Sequence, residues 1–347
     1  MVYGDHVPDS NASSPDHSGT RGSGRDRRAP WTVVQSEHLA DGPARWLADQ
    51  CRLIDCPHDD PNFADALAGA DGLVVRTYTI VDDALLDRAP NLRVVGRAGV
   101  ALENIDVPAC RERGVEVVHA PGSNTQAVVE YVFCLLADAR RPRVTVDQPL
   151  DAATWNRWRA DVFADRQFNE MTLGIVGLGR IGRRVAEVAG AIGMPVRYFD
   201  IDPELREGPP PSCPDAAFAD AETLFAECDV ISVHIDSRPG NRGFVSRSLI
   251  ERMKPDALLI NTSRGFVVDA DALAAYLNEN PDARAMIDVH EPEPIDAANP
   301  LLGLPNATLL PHLAGRTKTA LDNMSWVVRD VVAVLNNEPP QHPAPET

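Results

Sequence analysis

Short runs of apolar, often β-branched residues alternate along the chain with segments in which apolar positions recur every three or four residues. The first pattern is typical of buried strands and the second of helices that pack on a sheet. Because the two alternate throughout, the sequence predicts an α/β fold whose parallel sheets are covered on both faces. The pattern begins at Trp31, and its first predicted strands are 32–34, 53–54, 71–76, 92–95 and 115–119.

The same alternation continues in the second half of the chain. Helices are predicted at 124–140 and 317–335, and the polar segment 141–169 is predicted to be an extended connection. A chain of 347 residues exceeds the usual size of one hydrophobic core, so two Rossmann-like, doubly wound domains are expected. The predicted strands of the second half are 173–176, 196–199, 230–233, 257–260 and 285–289.

A glycine-rich turn follows the strand predicted at 173–176. Gly177, Gly179 and Gly182 form a GxGxxG motif that opens a helical pattern, and the next strand ends at Asp200. The glycines allow a tight turn, close approach of backbone N–H groups to a pyrophosphate and close packing of the helix, whose N-terminus attracts phosphate. A carboxylate about 20 residues past the turn binds ribose hydroxyls and repels a 2′-phosphate, so NAD is predicted rather than NADP.

Composition narrows the choice of partners. The chain has 51 acidic against 33 basic residues and a net charge of −18, which argues against nucleic acid as a partner. Two explanations of this acidic surface remain open, namely solubility and adaptation to high salt. The six cysteines form no CxxC pair, so buried free thiols are expected, and no metal site. Residues 1–30 are predicted to be a disordered tail, and without a signal core or membrane span the protein is expected in the cytoplasm.

Polar residues at the predicted strand ends are the candidates for chemistry, because ligands bind at the carboxyl edge of such sheets. At these positions the chain resembles the D-isomer-specific 2-hydroxyacid dehydrogenases, most closely their phosphoglycerate dehydrogenase branch. The resemblance covers residues 31 to 336. The matching stretches are GRAGVALENID from Gly96, GIVGLGRIG from Gly174, NTSRGFVVD from Asn261, IDVHEPEP from Ile287 and LLPHLAGRT from Leu309.

The resemblance implies an architecture and a reaction. A cofactor domain, residues 131–312, would be inserted into a flavodoxin-like substrate-binding domain formed by residues 31–130 and 313–347, and the protein would be a homodimer. The implied reaction transfers a hydride between NAD and a D-2-hydroxy acid or its 2-keto acid, with 3-phosphoglycerate as a candidate substrate. Two alternatives remain open, namely a glyoxylate or hydroxypyruvate reductase and a non-enzymatic, NAD-sensing protein like the corepressors of this fold.

Three residues suit the chemistry of that reaction, which needs a base for the hydroxyl proton and a cation for the carboxylate. The planar guanidinium of Arg264 can grip carboxylate oxygens and polarise a carbonyl. His312 suits the base, because imidazole exchanges protons near neutral pH, and Glu293 suits a carboxylate that orients it. His290 and Glu291 are rivals close by in sequence. His290 is predicted to serve in packing or at the rim, and the third histidine at a strand end, His234, is predicted to serve in packing.

By similarity, further residues are expected to contact the two ligands. The backbone of Ala98, Gly99 and Val100 would bind the substrate carboxylate, and Arg76 and Arg97 match basic positions associated with a phosphorylated substrate. The expected cofactor contacts are Gly177, Gly179, Arg180, Ile181, Gly182, Asp200, Ile235, Thr262, Ser263, Asp288, Ala314 and Gly315.

Overall fold

The computed structural model describes residues 31–141 and 143–345. The tail predicted at residues 1–30 lies outside this range. The described chain forms two parallel sheets, of five and seven strands, with helices packed against them. The α/β fold class read from the alternating pattern is therefore confirmed.

The first sheet is built from the N-terminal part of the described chain. Its strands are β1 (Thr32–Gln35), β2 (Arg52–Asp55), β3 (Gly72–Val75), β4 (Val94–Arg97) and β5 (Glu116–Val118). Its helices are α1 (Asp41–Gln50), α2 (Phe63–Ala68), α3 (Asp83–Leu86) and α4 (Val107–Glu112). The strands run parallel in the order β2-β1-β3-β4-β5, which is the flavodoxin-like order.

The second sheet follows two helices, α5 (Thr125–Arg140) and α6 (Ala152–Asp161). Its strands are β6 (Leu173–Val176), β7 (Val196–Phe199), β8 (Ala217–Phe218), β9 (Val230–Val233), β10 (Leu258–Asn261), β11 (Arg284–Ile287) and β12 (Ala307–Leu309). Its helices are α7 (Arg180–Ala191), α8 (Pro203–Glu207), α9 (Ala221–Glu227), α10 (Arg247–Ile250) and α11 (Ala270–Glu279). The strands are parallel and lie in the order β12-β11-β10-β9-β6-β7-β8. The chain builds the sheet outward from β6 to one side and then from β9 to the other, and a dinucleotide binds at this switch point between β6 and β9 in such folds.

The end of the chain returns to the first sheet, so the second sheet is an insertion. Helices α12 (Lys318–Ser325) and α13 (Val328–Leu335) follow β12, and α13 packs on β3, β4 and β5. The fit is close: a Cβ added at Gly96 would lie 2.4 Å from Cγ2 of Val331.

Helix α13 is separate from α12, whereas a single helix was predicted at 317–335. The Ser325 hydroxyl donates to the Leu321 carbonyl at 2.7 Å and accepts from the Ala40 N–H at 3.0 Å. Such bonding to the preceding turn competes with regular helical hydrogen bonds and bends helices. The sequence pattern did not reveal the break between α12 and α13, because the spacing of apolar residues continues across it.

The prediction of an extended connection at 141–169 was also wrong, because α6 lies within it. This helix begins after Asp151, whose carboxylate accepts the Thr154 N–H at 2.7 Å as an N-cap. No residue of α6 is buried, so it lacks the apolar stripe by which helices are recognised. Ile192 follows the end of α7 and is 43% exposed, although it continues the apolar period of that helix.

A buried carboxylate joins three elements at the amino edge of the second sheet. Asp229 accepts hydrogen bonds from Lys254 and Arg166, each at 2.8 Å, and from the Thr172 N–H at 2.7 Å. Burial alone would raise the pKa of Asp229, but these donors outweigh it and leave the pKa below the usual value. The charged form is therefore stabilised in the folded protein.

Replacement of Asp229 by alanine is expected to lower the free energy of unfolding by about 2 kcal/mol at pH 7, measured by urea denaturation. The figure is moderate because Arg166 and Lys254 can turn toward water. Because folding lowers the pKa of Asp229, its stabilising effect is complete above the unfolded-state pKa and is lost as the pH falls through the lower folded-state pKa. Asp87→Ala removes an exposed partner of Arg113 and should cost less than about 1 kcal/mol. Equal losses in the two variants would contradict the expectation.

Candidate active site

The glycine turn after β6 forms a cradle of backbone. Gly177 has φ +93°, and a Cβ at Gly182 would lie 2.0 Å from the Gly177 carbonyl oxygen. Neither position therefore accepts a larger residue without a shift of the backbone. Nothing lies within 4 Å of a Cβ added at Gly179, so a ligand can approach the backbone there. Arg180 and Ile181 follow in the first turn of α7.

Two further features of the cradle fit a dinucleotide. Asp200 directly follows β7, and its carboxylate accepts the Leu178 N–H at 2.6 Å, which fixes the acid beside the turn. The Thr262 hydroxyl is buried and has no hydrogen-bond partner among the described residues. A buried hydroxyl without a partner is costly, so a ligand atom at this position is favoured. The glycine cradle, the acid and this hydroxyl together fit NAD.

Asp288 organises the loop after β12. It is fully buried, and its carboxylate accepts the N–H groups of Leu313 and Ala314, each at 2.8 Å. Burial raises its pKa although these donors act in the opposite direction. The Asp288 carbonyl also accepts the His312 N–H at 2.9 Å. Asp288, expected to contact the cofactor, thus also holds the backbone that carries His312.

His312 and Glu293 form a hydrogen-bonded pair at the carboxyl edge of the second sheet. Nδ1 of His312 lies 2.8 Å from Oε2 of Glu293, which leaves Nε2 for a ligand. His312 has φ 56°, an uncommon conformation for a residue with a Cβ that recurs at functional sites. Burial alone would raise the pKa of Glu293, but the hydrogen bonds from His312 and from the His290 N–H outweigh it and lower the pKa. An ionised Glu293 fixes the imidazole orientation.

The two rival histidines are engaged elsewhere. Nε2 of His290 lies 2.8 Å from the Leu310 carbonyl oxygen, so this nitrogen carries a proton and donates it. Burial lowers the pKa of His234 to about 3, and its Nε2 lies 2.9 Å from the Ser232 hydroxyl. Neither ring shares the Glu293 carboxylate that holds His312.

Three guanidinium groups, two from the first sheet and one from the second, converge in the cleft between the sheets, where Glu103 contacts Arg264. Arg264 follows β10, and Arg97 ends β4. Burial lowers the pKa of Arg97 to about 10, and the nearby positive charges of Arg264 and Arg76 act in the same direction. Burial also lowers the pKa of Arg76, and the positive charge of Arg316 contributes to that shift. Closely spaced, partly buried cations of this kind favour an anion between them.

The loop after β4 differs in detail from the expected carboxylate site. The Ala98 N–H donates to the Val75 carbonyl and the Gly99 N–H to the Arg97 carbonyl, each at 2.8 Å. Two of the three expected backbone donors are therefore engaged within the protein. Within residues 31–141 and 143–345, the Val100 N–H has no protein acceptor and is the donor left for a substrate.

The sequence pattern did not single out three residues that arrange this cluster. Glu37 accepts the backbone N–H groups of residues 76–79 at 2.8–3.1 Å and so fixes the loop that begins with Arg76. Glu103 accepts a hydrogen bond from Nε of Arg264. Asn104 accepts from Nε of Arg97 at 3.0 Å and donates to the Arg76 carbonyl at 3.2 Å. For two of these residues the sequence did hold a signal, because Glu103 and Asn104 lie in the stretch GRAGVALENID that also carries Arg97.

Gly99 is expected to be required for the position of Arg97. A Cβ at residue 99 would lie 1.9 Å from Nη1 of Arg97, so Gly99→Ala must displace the guanidinium. Because a displaced Arg97 loses its place in the arginine cluster, Gly99→Ala is expected to raise KM for an anionic substrate by about 10-fold or more, measured in steady-state assays. Gly69→Ala, where nothing lies within 4 Å of the added Cβ, is the matched control and should keep the wild-type KM. Equal KM values in both variants would exclude this role of Gly99.

A dinucleotide-type sheet with an imidazole–carboxylate pair and an arginine at its carboxyl edge defines a nicotinamide-dependent oxidoreductase. In the part of the chain that the structure describes, no group of three or more His, Cys, Asp or Glu side chains is placed to hold a metal ion. Across the same residues, no helix is both long and apolar enough to cross a membrane.

Comparison with known proteins places the chain in a family. The model of the "D-isomer specific 2-hydroxyacid dehydrogenase, NAD binding domain" matches residues 133–314. The (S)-sulfolactate dehydrogenase of Chromohalobacter salexigens is 38% identical over 312 residues, which cover 86% of this chain and 96% of that protein. The chain belongs to the D-isomer specific 2-hydroxyacid dehydrogenase family. It is an NAD-dependent oxidoreductase that acts on a CH–OH group.

Two other relatives show the range of the family. The D-3-phosphoglycerate dehydrogenase of Archaeoglobus fulgidus is 34% identical over 272 residues, which cover 78% of this chain and 50% of that protein. The chain thus spans about half the length of that relative. The structure of the 2-hydroxyacid dehydrogenase from Ketogulonicigenium vulgare Y25 matches with a TM-score of 0.75 and 29% identity, covering 90% of this chain and 98% of that one.

Proposed function

We propose that the substrate is a 2-hydroxy acid, or the corresponding 2-keto acid, that carries a second anionic group such as a phosphate or a sulfonate. The observation that carries this proposal is the arginine cluster: Asn104 bonds both Arg97 and the Arg76 carbonyl, and the charges of Arg264 and Arg76 add to the burial that lowers the pKa of Arg97. Glu37 and Glu103 offset part of this charge, but with Arg316 beside Arg76 positive groups remain in excess, and a dianion neutralises more of that excess than one carboxylate does. The relatives named for sulfolactate and 3-phosphoglycerate act on acids of this kind.

The proposed roles of the protein groups follow from their geometry. When bound, NAD supplies the hydride acceptor at its nicotinamide ring. Nε2 of His312 accepts the hydroxyl proton during oxidation, while Glu293 holds Nδ1 and stabilises the resulting imidazolium. Arg264 binds the substrate carboxylate and polarises the carbonyl oxygen as it forms. In reduction His312 returns the proton to that oxygen.

A panel of 2-keto acids with NADH and NADPH tests the substrate class. Phosphohydroxypyruvate and sulfopyruvate should give kcat/KM values at least about 10-fold above those of glyoxylate, hydroxypyruvate and pyruvate, because each charged hydrogen bond is worth roughly 1.5–3 kcal/mol. NADH should be preferred, since Asp200 repels a 2′-phosphate. Equal or better turnover of the monoanions would contradict the dianion proposal, whereas no turnover of any acid would contradict the proposed enzyme activity.

We propose that residues 31–130 with 313–347 form the substrate-binding domain and that residues 131–312 form the NAD-binding domain. The support is that α13 packs on the first sheet, although the strands of the second sheet lie between that sheet and α13 in the sequence. The arginine cluster then lies where the two domains face each other. Domain closure on the substrate would exclude water from the reacting atoms.

We also propose that the protein is a homodimer that uses the segment around α6. No side chain of α6 is buried, and the segment exposes Val144, Val146, Trp155 and Phe163, the last to 75%. A second copy would cover these apolar side chains. Light scattering after gel filtration should show a dimer for the wild type and a monomer for Trp155→Glu/Phe163→Glu. Ile192→Glu, on another exposed site, is the control that should remain dimeric.

We propose a cytoplasmic location. Five of the six cysteines are buried and none of the six forms a disulfide, which is typical of a reducing compartment. Burial raises the pKa of Cys51 and of Cys110 to about 11, so both thiols stay protonated and unreactive. A thiol-specific reagent added to the denatured protein, isolated without reductant, should react with all six cysteines.

A further inference from the structure

Glu103 contacts the arginine that the proposed mechanism uses. It lies in the loop between β4 and α4, next to Asn104, and its carboxylate accepts a hydrogen bond from Nε of Arg264. The two residues are 161 positions apart and belong to different sheets. We propose that Glu103 is a positioning residue that fixes the Arg264 guanidinium across the cleft. This inference rests on the proposed function, in which Arg264 binds the substrate.

The hydrogen bonds of the guanidinium show what this position achieves. Nη1 of Arg264 donates to the Ser263 carbonyl at 2.6 Å, while Nε donates to Glu103. Among the residues that the structure describes, Nη2 has no protein acceptor. The protein therefore engages Nε and Nη1, one donor on each edge of the planar group, and the N–H groups of Nη2 stay free for the substrate. A guanidinium fixed in this way loses little conformational freedom when a carboxylate binds.

Glu103 also balances the charge of the cluster. Its side chain is 36% exposed, and that of Arg264 is 29% exposed. Burial alone would raise the pKa of Glu103, but the charge and hydrogen bond of Arg264, with the charge of Arg97, outweigh it and lower the pKa. The carboxylate therefore remains ionised near neutral pH and offsets repulsion between Arg97 and Arg264. The same negative charge weakens the attraction of the cleft for an anionic substrate.

These two effects act in opposite directions on the kinetic constants. Loss of the Glu103 carboxylate frees Arg264 to rotate, which lowers kcat because misplacement of a catalytic group by about 1 Å costs up to about 100-fold. The same loss removes a negative charge from the anion site, which offsets the weaker hold of a freely rotating Arg264 on the substrate carboxylate, so KM for the keto acid does not rise. General damage to the fold would raise KM and lower kcat together. The split between KM and kcat therefore separates positioning from a merely structural role.

The test uses the full-length enzyme with NADH and the best 2-keto acid of the panel. Glu103→Ala is expected to lower kcat by about 100-fold and Glu103→Gln, which keeps an acceptor for Nε, by about 10-fold, with no rise in KM for the keto acid in either variant. In a double-mutant cycle with Arg264→Lys, the losses in kcat should be less than additive, because the two residues act through one contact. KM for NADH should stay at the wild-type value.

The matched control is Glu227→Ala, which breaks a Glu–Arg ion pair of 2.8 Å with Arg197 away from the cleft. This variant should keep the wild-type kcat. If Glu103→Ala matched it, or raised both KM values as kcat fell, the positioning role would be wrong while the proposed function stood. If the wild-type enzyme turned over none of the acids, the proposed function would fail and the role of Glu103 with it.

Discussion

Replacement of His312 by asparagine is expected to lower kcat by about 1,000-fold, while the Kd of NADH stays at the wild-type value. Proton transfer by a positioned side chain contributes roughly 100- to 10,000-fold to such reactions. Asparagine can keep a hydrogen bond to Glu293 but has no group that exchanges a proton near neutral pH. Stopped-flow measurement of NADH oxidation, with NADH fluorescence for binding, gives both quantities.

Two comparison variants make the His312 result specific. His290→Asn changes the neighbouring imidazole, which bonds to the Leu310 carbonyl, and should cost less than about 10-fold in kcat. His58→Asn changes an exposed histidine remote from the cleft and should have no effect. If His290→Asn lost activity while His312→Asn kept it, the assignment of the base would have to move to His290.

Replacement of Arg264 by alanine is expected to lower kcat/KM by about 1,000-fold or more. The guanidinium is proposed to bind the carboxylate in the ground state and the carbonyl oxygen in the transition state, so both KM and kcat should change. Removal of a single stabilising donor from an active site typically costs 100- to 1,000-fold in kcat. Arg264→Lys keeps the charge but not the planar pair of donors, and it should recover only part of the loss.

Added guanidinium ion provides an independent check on Arg264. It should restore part of the activity of Arg264→Ala, since it can occupy the space of the missing group, and should leave His312→Asn unchanged. Arg242→Ala removes an arginine with a 62% exposed side chain that pairs with Glu291, and it should keep the wild-type kcat/KM. Equal losses in Arg264→Ala and Arg242→Ala would contradict a specific role for Arg264.

The cofactor cradle was predictable because its determinants are contiguous. The GxGxxG turn, the helix that it opens and the acid at the end of β7 all lie within about 30 residues, and each residue type follows from a local backbone requirement. In the structure Gly177 has positive φ, and Gly182 leaves no room for a Cβ. The α12–α13 break was missed because it involves Ser325 and the distant Ala40, whose hydrogen bond no periodic pattern records. Helix α6 was missed for a local reason, since it buries no residue and has no apolar stripe.

The sequence by itself therefore determined the α/β class, the NAD cradle and the residue types suited to the chemistry. Tertiary structure alone decided how those residues are held. The Glu293 and His312 side chains meet across 19 positions, and Glu103 reaches Arg264 across 161. The first of these bonds depends on how the loops after β11 and β12 fold, and the second on how the two sheets face each other. Backbone hydrogen bonds of Ala98 and Gly99 leave Val100 as the free donor of its loop among the described residues, and the facing sheets bring three arginines into one cleft.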